Sequence, residues 1–252
     1  MYRPEYFIHE EAFRIRTYEI DERKTVSAPA LVRLMQETAM QHVLKLRLSV
    51  WDLESQNLAW VLIRKNIQVV RYPLLGEQIR IRTHPSGFEK IFTYRDFRIF
   101  DEQDQEIASA STCWLLMNTR ERKMTRIPPA FLEFNELLPD PATFLPRPDA
   151  RAPAIENVDY SQHFTVQRHE LDFNLHLNNT FYIQWMLEAL PEAVLTRASM
   201  QKMDLIYRTE CYWRDEVVAE TQQMDSALFH HRLRRPADDQ ELASGRSIWK
   251  VQ

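Results

Sequence analysis

The chain of 252 residues repeats itself once. The segment FRIRTYEID at 13–21 matches FTVQRHELD at 164–172, an offset of 151 positions. Without a gap, the same offset pairs Met35 with Met186 and Glu37 with Glu188, and the apolar Val26, Val32 and Leu34 with Leu177, Ile183 and Trp185. A period this long marks a duplicated domain rather than a solenoid. Seven of the 13 prolines fall from Pro128 to Pro153, between the copies. Proline removes a backbone donor and disfavours helix at the residue before it, so this stretch reads as a linker. The expected organisation is an N-terminal domain over 1–128, a linker over 129–153 and a C-terminal domain over 154–252.

Within each copy the patterns run in one order. A short alternating strand comes first and a helix follows. Ser27 is a natural N-cap, with Pro29 in the first turn and Leu31, Leu34, Met35, Thr38, Ala39 and His42 recurring at helical spacing. Asn178 takes the equivalent cap, with Tyr182, Trp185, Met186, Ala189 and Leu190 as the stripe and Pro191 as the stop. Strand patterns then cover 60–72, 78–83, 91–100 and 107–117 in the first copy, and 202–212, 216–222, 227–234 and 242–251 in the second. One strand, one central helix and four antiparallel strands make an α+β domain. The expected fold is two tandem hot-dog domains, each a long helix wrapped by a curved antiparallel sheet, packed as a pseudo-dimer.

Composition narrows the function. Hydrophobic residues make up 44% and aromatics 11%, which suits packed cores, and no apolar run reaches the length of a membrane span. Residues 1–10 mix charges with aromatics, unlike a secretory signal. Two cysteines, Cys113 and Cys211, make no disulfide framework, and a reducing cytoplasm is the expected compartment. No Cys/His cluster has zinc spacing, so neither metal nor cofactor is expected. A net charge of −4 argues against nucleic acid. Up to Pro128 there are 20 Lys and Arg against 17 Asp and Glu; beyond it, 12 against 19. The basic surface therefore lies in the first half and includes Arg120, Arg122, Lys123 and Arg126. A solvated face explains that tract, and so does docking of an acidic partner.

The segment HELDFNLHLNN at 169–179 carries the densest chemistry. As an extended strand it would project Asp172, Asn174 and His176 from one face and send Phe173, Leu175 and Leu177 into the core. Acid, amide and imidazole would converge before a helix start, whose N–H groups near Asn178 and Asn179 can hold an oxyanion. The plainer alternative is a capping turn. The first copy keeps Asp21 but has Arg23 and Thr25 where Asn174 and His176 stand, so the second copy holds more than the fold requires. A second candidate lies in YRTECYWRD at 207–215. Aligned on the following turns, at an offset of 138, Glu210 and Cys211 stand opposite Tyr72 and Pro73. Neighbours along a strand face opposite ways, which sets Glu210 and Cys211 apart.

The segments LDFNLHLNNTFYIQWMLEALP at 171–191 and IYRTECYWRD at 206–215 resemble the signatures of plant-type and bacterial acyl-ACP thioesterases. WVLIR at 60–64, RYP at 71–73, YRDF at 94–97 and RIP at 126–128 resemble their first domain. The resemblance runs from about Phe13 to Val251, without the plant transit peptide and with Tyr212 and Trp213 where many relatives have smaller residues. It implies hydrolysis of fatty acyl-ACP with Asp172, Asn174, His176 and Glu210 as the catalytic set. Cys211 matches a cysteine that would be the nucleophile in a Cys–His–Asn scheme. Because a thioester is already activated, Glu210 as general base on water suffices, and that scheme also gives Asp172 a task. The first copy, lacking chemistry, is expected to supply the acyl tunnel, with Leu31, Leu34, Met35, Trp60 and Leu62 as walls. The acidic acyl carrier protein is the expected partner, and homodimerisation is left open. Competing readings are an acyl-CoA thioesterase on the same fold and a non-catalytic acyl-binding regulator.

Overall fold

The computed structural model of the chain describes residues 2–151 and 154–251. It divides into two compact units, Met1–Pro148 and Asp149–Gln252. In the first unit the elements are β1 (His9–Arg14), α1 (Ala28–Lys45), α2 (Val50–Glu54), β2 (Leu58–Val69), β3 (Gln78–Phe88), β4 (Phe92–Phe100), β5 (Glu106–Asn118), β6 (Lys123–Thr125) and α3 (Pro129–Leu132). Its sheet is antiparallel in the order β1-β3-β4-β5-β2, with β6 paired to β5.

The second unit has β7 (Tyr160–Thr165), α4 (Asn179–Glu188), α5 (Glu192–Arg197), β8 (Ala198–Tyr207), β9 (Glu216–Gln223), β10 (Leu228–Arg235) and β11 (Gln240–Val251). Its antiparallel order, β7-β9-β10-β11-β8, is that of the first sheet. Even register is kept: His9 faces Thr83, and Tyr160 faces Thr221. These partners are related by the two offsets found in the sequence.

Each long helix lies on its sheet because its apolar positions recur on one side. Leu31, Leu34, Met35 and Thr38 of α1 are buried, as are Tyr182, Ile183, Trp185 and Met186 of α4. The Ser27 hydroxyl accepts from the Ala30 N–H (3.3 Å), and the Asn178 amide oxygen from that of Thr180 (3.0 Å). These bonds fix where both helices start, as N-caps do. Helix α4 ends at Glu188, before the expected stop at Pro191, which is the N-cap of α5.

Two strands depart from the sequence pattern. Strand β3 runs on to Phe88, beyond the expected end at Thr83, because a bulge between Pro85 and Gly87 absorbs the proline. Gly87 has φ 154°, and a Cβ there would stand 2.7 Å from Nη2 of Arg147, which lies over the Tyr94 ring. Strand β8 ends at Tyr207 rather than 212, and residues 208–212 leave the sheet.

The proline-rich stretch is in large part built into the first unit. Pro129 and Pro141 open short helical turns, where a missing N–H costs nothing. Phe134 joins a core cluster with Phe7, Leu46, Leu53, Phe88, Leu116 and Ile127. The Asn135 side chain accepts from the Phe88 N–H (2.9 Å) and donates to the Phe88 carbonyl (2.8 Å). Among the described residues, no helix is long and apolar enough to cross a membrane.

Candidate active site

Of the two readings open for the polar segment before α4, the structure shows the closed, capping turn and not the extended strand. Asp172 donates its N–H to the His176 carbonyl (2.7 Å), Leu175 donates to the Asp172 carbonyl (3.0 Å), and Leu171 bridges Leu177. Leu175 adopts the left-handed region at φ 62°. Phe173 and Leu175 therefore stand in solvent, 59% and 70% exposed, and only Leu177 enters the core. Asp21, Lys24 (φ 62°) and Thr25 build the same turn in the first unit.

Both turns are held alike. Gln167 donates its N–H to the Glu170 carboxylate, and Arg16 to that of Glu19, each at 2.7 Å. The Leu177 N–H reaches the Cys211 carbonyl, and Val26 reaches Pro73, each at 2.8 Å. The Leu177–Cys211 bond ties the second turn to the segment that carries Glu210. The loop beyond is also duplicated: Asp215 donates to the Tyr212 carbonyl as Glu77 does to Leu74.

On this shared frame the side chains diverge. In the first unit the Asp21 carboxylate is spent on the Arg23 guanidinium and the Arg23 N–H, beside buried Tyr72. In the second the Asp172 carboxylate accepts the N–H groups of Asn174 (2.8 Å) and His176 (3.1 Å). Asp172 thus positions the backbone under His176, as a side-chain-capped turn does. The imidazole reaches out to Glu210, with Nε2 3.7 Å from Oε2. That is ion-pair range rather than a direct hydrogen bond. The two side chains are 27% and 25% exposed, so both are open to a substrate. The Tyr212 hydroxyl donates to the same Glu210 oxygen (2.8 Å), and its ring meets the imidazole edge-on at 5.1 Å. Asn174 is exposed on the same turn.

Cys211 faces the other way and is fully buried. Burial first, and then the Asp215 charge, push its thiol up to about 12, so it stays protonated at neutral pH. Asn178 is engaged within the fold: its N–H goes to the Glu170 carbonyl (2.9 Å), and its side chain caps α4. The Asn178 N–H is thus engaged within the fold. Asn179 opens α4, and its carbonyl accepts from the Tyr207 hydroxyl (3.3 Å).

Two further residues shape the site. Tyr212 enters as a ligand of Glu210. Arg235 on β10 donates to the Glu210 carbonyl (3.4 Å) and to the Asp215 carboxylate (3.0 Å). Sequence spacing gives no cue to Arg235, which lies 25 positions from Glu210. Tyr212 had one: it replaces the apolar Leu74 of the first copy, two positions from the acid. Among the described residues no group of His, Cys, Asp or Glu could hold a metal ion.

Of the other candidates, Leu31, Leu34, Met35 and Leu62 are buried in the first unit, and Trp60 is half-buried, its indole N–H on the Leu48 carbonyl (3.0 Å). Arg120, Arg122, Lys123 and Arg126 are exposed around β6.

A duplicated helix-on-sheet unit, with an acid–base cluster in the second copy alone, defines a tandem hot-dog protein with one active-site candidate. The family model of the acyl-ACP thioesterase N-terminal domain matches residues 7–134, and that of the C-terminal domain matches 155–251. The chain belongs to the acyl-ACP thioesterase family. It is 31% identical over 265 residues to a chloroplastic palmitoyl-acyl carrier protein thioesterase of Cuphea hookeriana, covering 96% of this chain and 62% of that protein. It is 27% identical over 275 residues to the chloroplastic oleoyl-acyl carrier protein thioesterase 1 of Arabidopsis thaliana, covering 96% and 76%. The chain spans about three-fifths of the length of the Cuphea relatives it matches. Its fold is that of an acyl-ACP thioesterase from Bacteroides thetaiotaomicron (TM-score 0.87, 19% identity, 99% of this chain and 100% of that one). The 12:0-ACP thioesterase from Umbellularia californica gives 0.86 at 22% identity, covering 98% of both chains.

Proposed function

We propose that this chain hydrolyses the thioester of fatty acyl-ACP, releasing the fatty acid and the carrier and so ending chain elongation. The observation that carries the reading is the His176–Glu210 pair, present only in the second copy and set 3.7 Å apart. Glu210 takes a proton from water as the oxygen attacks the carbonyl carbon. The C–S bond then breaks, and the carrier thiolate leaves and takes up a proton. His176 and Asn174 orient the water and polarise the carbonyl, Asp172 holds their turn, and the positive end of the α4 dipole near Asn179 stabilises the developing oxyanion.

The protonated, buried Cys211 favours this scheme over nucleophilic attack by sulfur. The first unit supplies the acyl tunnel, with Leu31, Leu34, Met35, Trp60 and Leu62 as walls. Added bulk at one of them shortens the preferred chain. Arg120, Arg122, Lys123 and Arg126 form an exposed basic face that attracts the acidic carrier at long range. Two free, buried cysteines suit a reducing compartment such as the cytoplasm.

Thiol release from a panel of acyl-ACPs and matching acyl-CoAs tests the reading. Glu210→Gln should lose ~10²–10⁴-fold in kcat, whereas Cys211→Ala keeps most activity. Survival of Glu210→Gln with loss in Cys211→Ser would reverse the assignment. Preference for the CoA series would move the activity to that carrier.

A further inference from the structure

The two copies of the loop after Glu210 share a backbone but not a surface. In the first unit this loop holds Leu74, Leu75 and Gly76, with Gly76 at φ 82°. In the second it holds Tyr212, Trp213 and Arg214, and Arg214 keeps the same left-handed conformation at φ 70°. The backbone bonds are equivalent: Gly76 donates to Ile15, and Arg214 to Val166. A position that glycine fills without strain thus carries a large cation. Strain retained where glycine would relieve it points to a use for the side chain.

The side chains around Arg214 share that direction. Its guanidinium lies 4.2 Å from the centre of the Trp213 ring, and the Arg168 guanidinium lies 5.2 Å from it. Arg168 stands where the first copy has Thr17. Neither cation has an ion-pair partner among the described residues. Trp213 is 45% exposed, Tyr212 is exposed beside it, and Phe173 and Leu175 are exposed on the adjoining turn. Tyr212 touches both His176 and Glu210, so this surface is continuous with the candidate active site.

We infer that the Arg168–Trp213–Arg214 surface, with Phe173 and Leu175 beside it, docks the acidic face of the acyl carrier protein. The inference rests on the carrier-linked substrate proposed above. Arginine and tryptophan dominate protein interfaces because a stacked guanidinium is preorganised and the indole buries a large area. Exposed apolar side chains have no counterpart in the phosphodiester of the prosthetic arm, and a carrier helix buries them.

The test is binding of fluorescently labelled acyl carrier protein to the full chain at low salt, read by anisotropy. The carrier is used in its apo form, without the arm, and in its holo form. The double variant Arg168→Thr with Arg214→Gly restores the residues of the first copy. It should weaken both carrier forms at least tenfold, and the turnover of acyl-ACP should fall far more than that of acyl-pantetheine. Unchanged affinity in the variant overturns the inference. So does weakening of the holo form alone, which assigns the surface to the arm, or absence of binding of either form to the wild-type chain. Equal loss on acyl-pantetheine also overturns it. A wild-type chain that binds the carrier but releases no thiol would sink the hydrolase reading and leave the docking surface standing.

Discussion

Asp21 and Asp172 close the same turn, yet only Asp172 stands under reactive groups. Each accepts backbone N–H groups of its own turn, so removing either carboxylate exposes the same kind of loss, about 1 kcal/mol of stability. Their effects on catalysis separate. Asp172→Ala should lower kcat about ten- to a hundredfold, because His176 loses its set position, while Asp21→Ala leaves kcat within twofold. Thermal denaturation and acyl-ACP turnover of the two variants check this; equal effects on kcat would deny Asp172 its positioning part. Arg214 offers the complementary case. A left-handed non-glycine costs about 1–2 kcal/mol, and glycine in its place gives back roughly 0.5–1 in backbone entropy. Arg214→Gly should therefore hold or raise the melting temperature while it loses carrier affinity, the usual exchange of stability for function. A lower melting temperature would mean that stacking on Trp213 outweighs the strain.

At the scale of elements, much was legible because the chain describes itself twice. The offsets of 151 and 138 map the strand pair His9–Thr83 onto Tyr160–Thr221, and Ser27 and Asn178 do cap the two helices. At 172–176 the sequence leaves strand and turn open for a physical reason: polar and apolar residues alternate there as in a half-buried strand. Only the left-handed Leu175 and the bridge that closes on Leu177 tell the two apart. The string DERKT at 21–25, rich in charge and poor in strand formers, already spoke for a turn. Arg235 was not legible at all, since its clamp on Asp215 is made by sheet geometry across 20 positions. The segment after Pro128 was read from its prolines, whereas its aromatics decide where it packs. Phe134 is buried between Phe7, Phe88 and Phe131, with ring centres 5.2–5.7 Å away. Phe134→Ala should destabilise the first unit by about 3–5 kcal/mol, read as an earlier denaturant transition of that unit. A free tether would show almost no shift.

At the scale of the whole molecule, each unit holds a neutral histidine that is almost completely buried, and these two make stability answer to acid. His42 on α1 is 1% exposed, with Nε2 on the Tyr6 carbonyl (2.9 Å) and Nδ1 against the Arg95 guanidinium (2.9 Å). His231 on β10 is fully buried between the hydroxyls of Thr221 (3.0 Å) and Ser247 (2.7 Å). Burial, helped by Arg95 at His42 and by His230 at His231, pushes each imidazole down to about 3. The unfolded chain titrates them near 6.5, so between about pH 6.5 and 3 it binds two protons that the folded chain refuses. The stability is fully present above pH 6.5 and is lost as the pH falls. From pH 7 to 5 the loss is about 2 kcal/mol for each histidine, a large share of the roughly 5–15 kcal/mol that holds a domain together. The slope of unfolding free energy against pH isolates the effect, because it counts protons directly. His231→Gln keeps a hydrogen-bonding group between Thr221 and Ser247 but cannot titrate, and it should lower that slope by about one proton between pH 6 and 4. A slope equal to that of the wild type would mean that His231 accepts its proton inside the fold, and the neutral-core account of this unit would have to be abandoned.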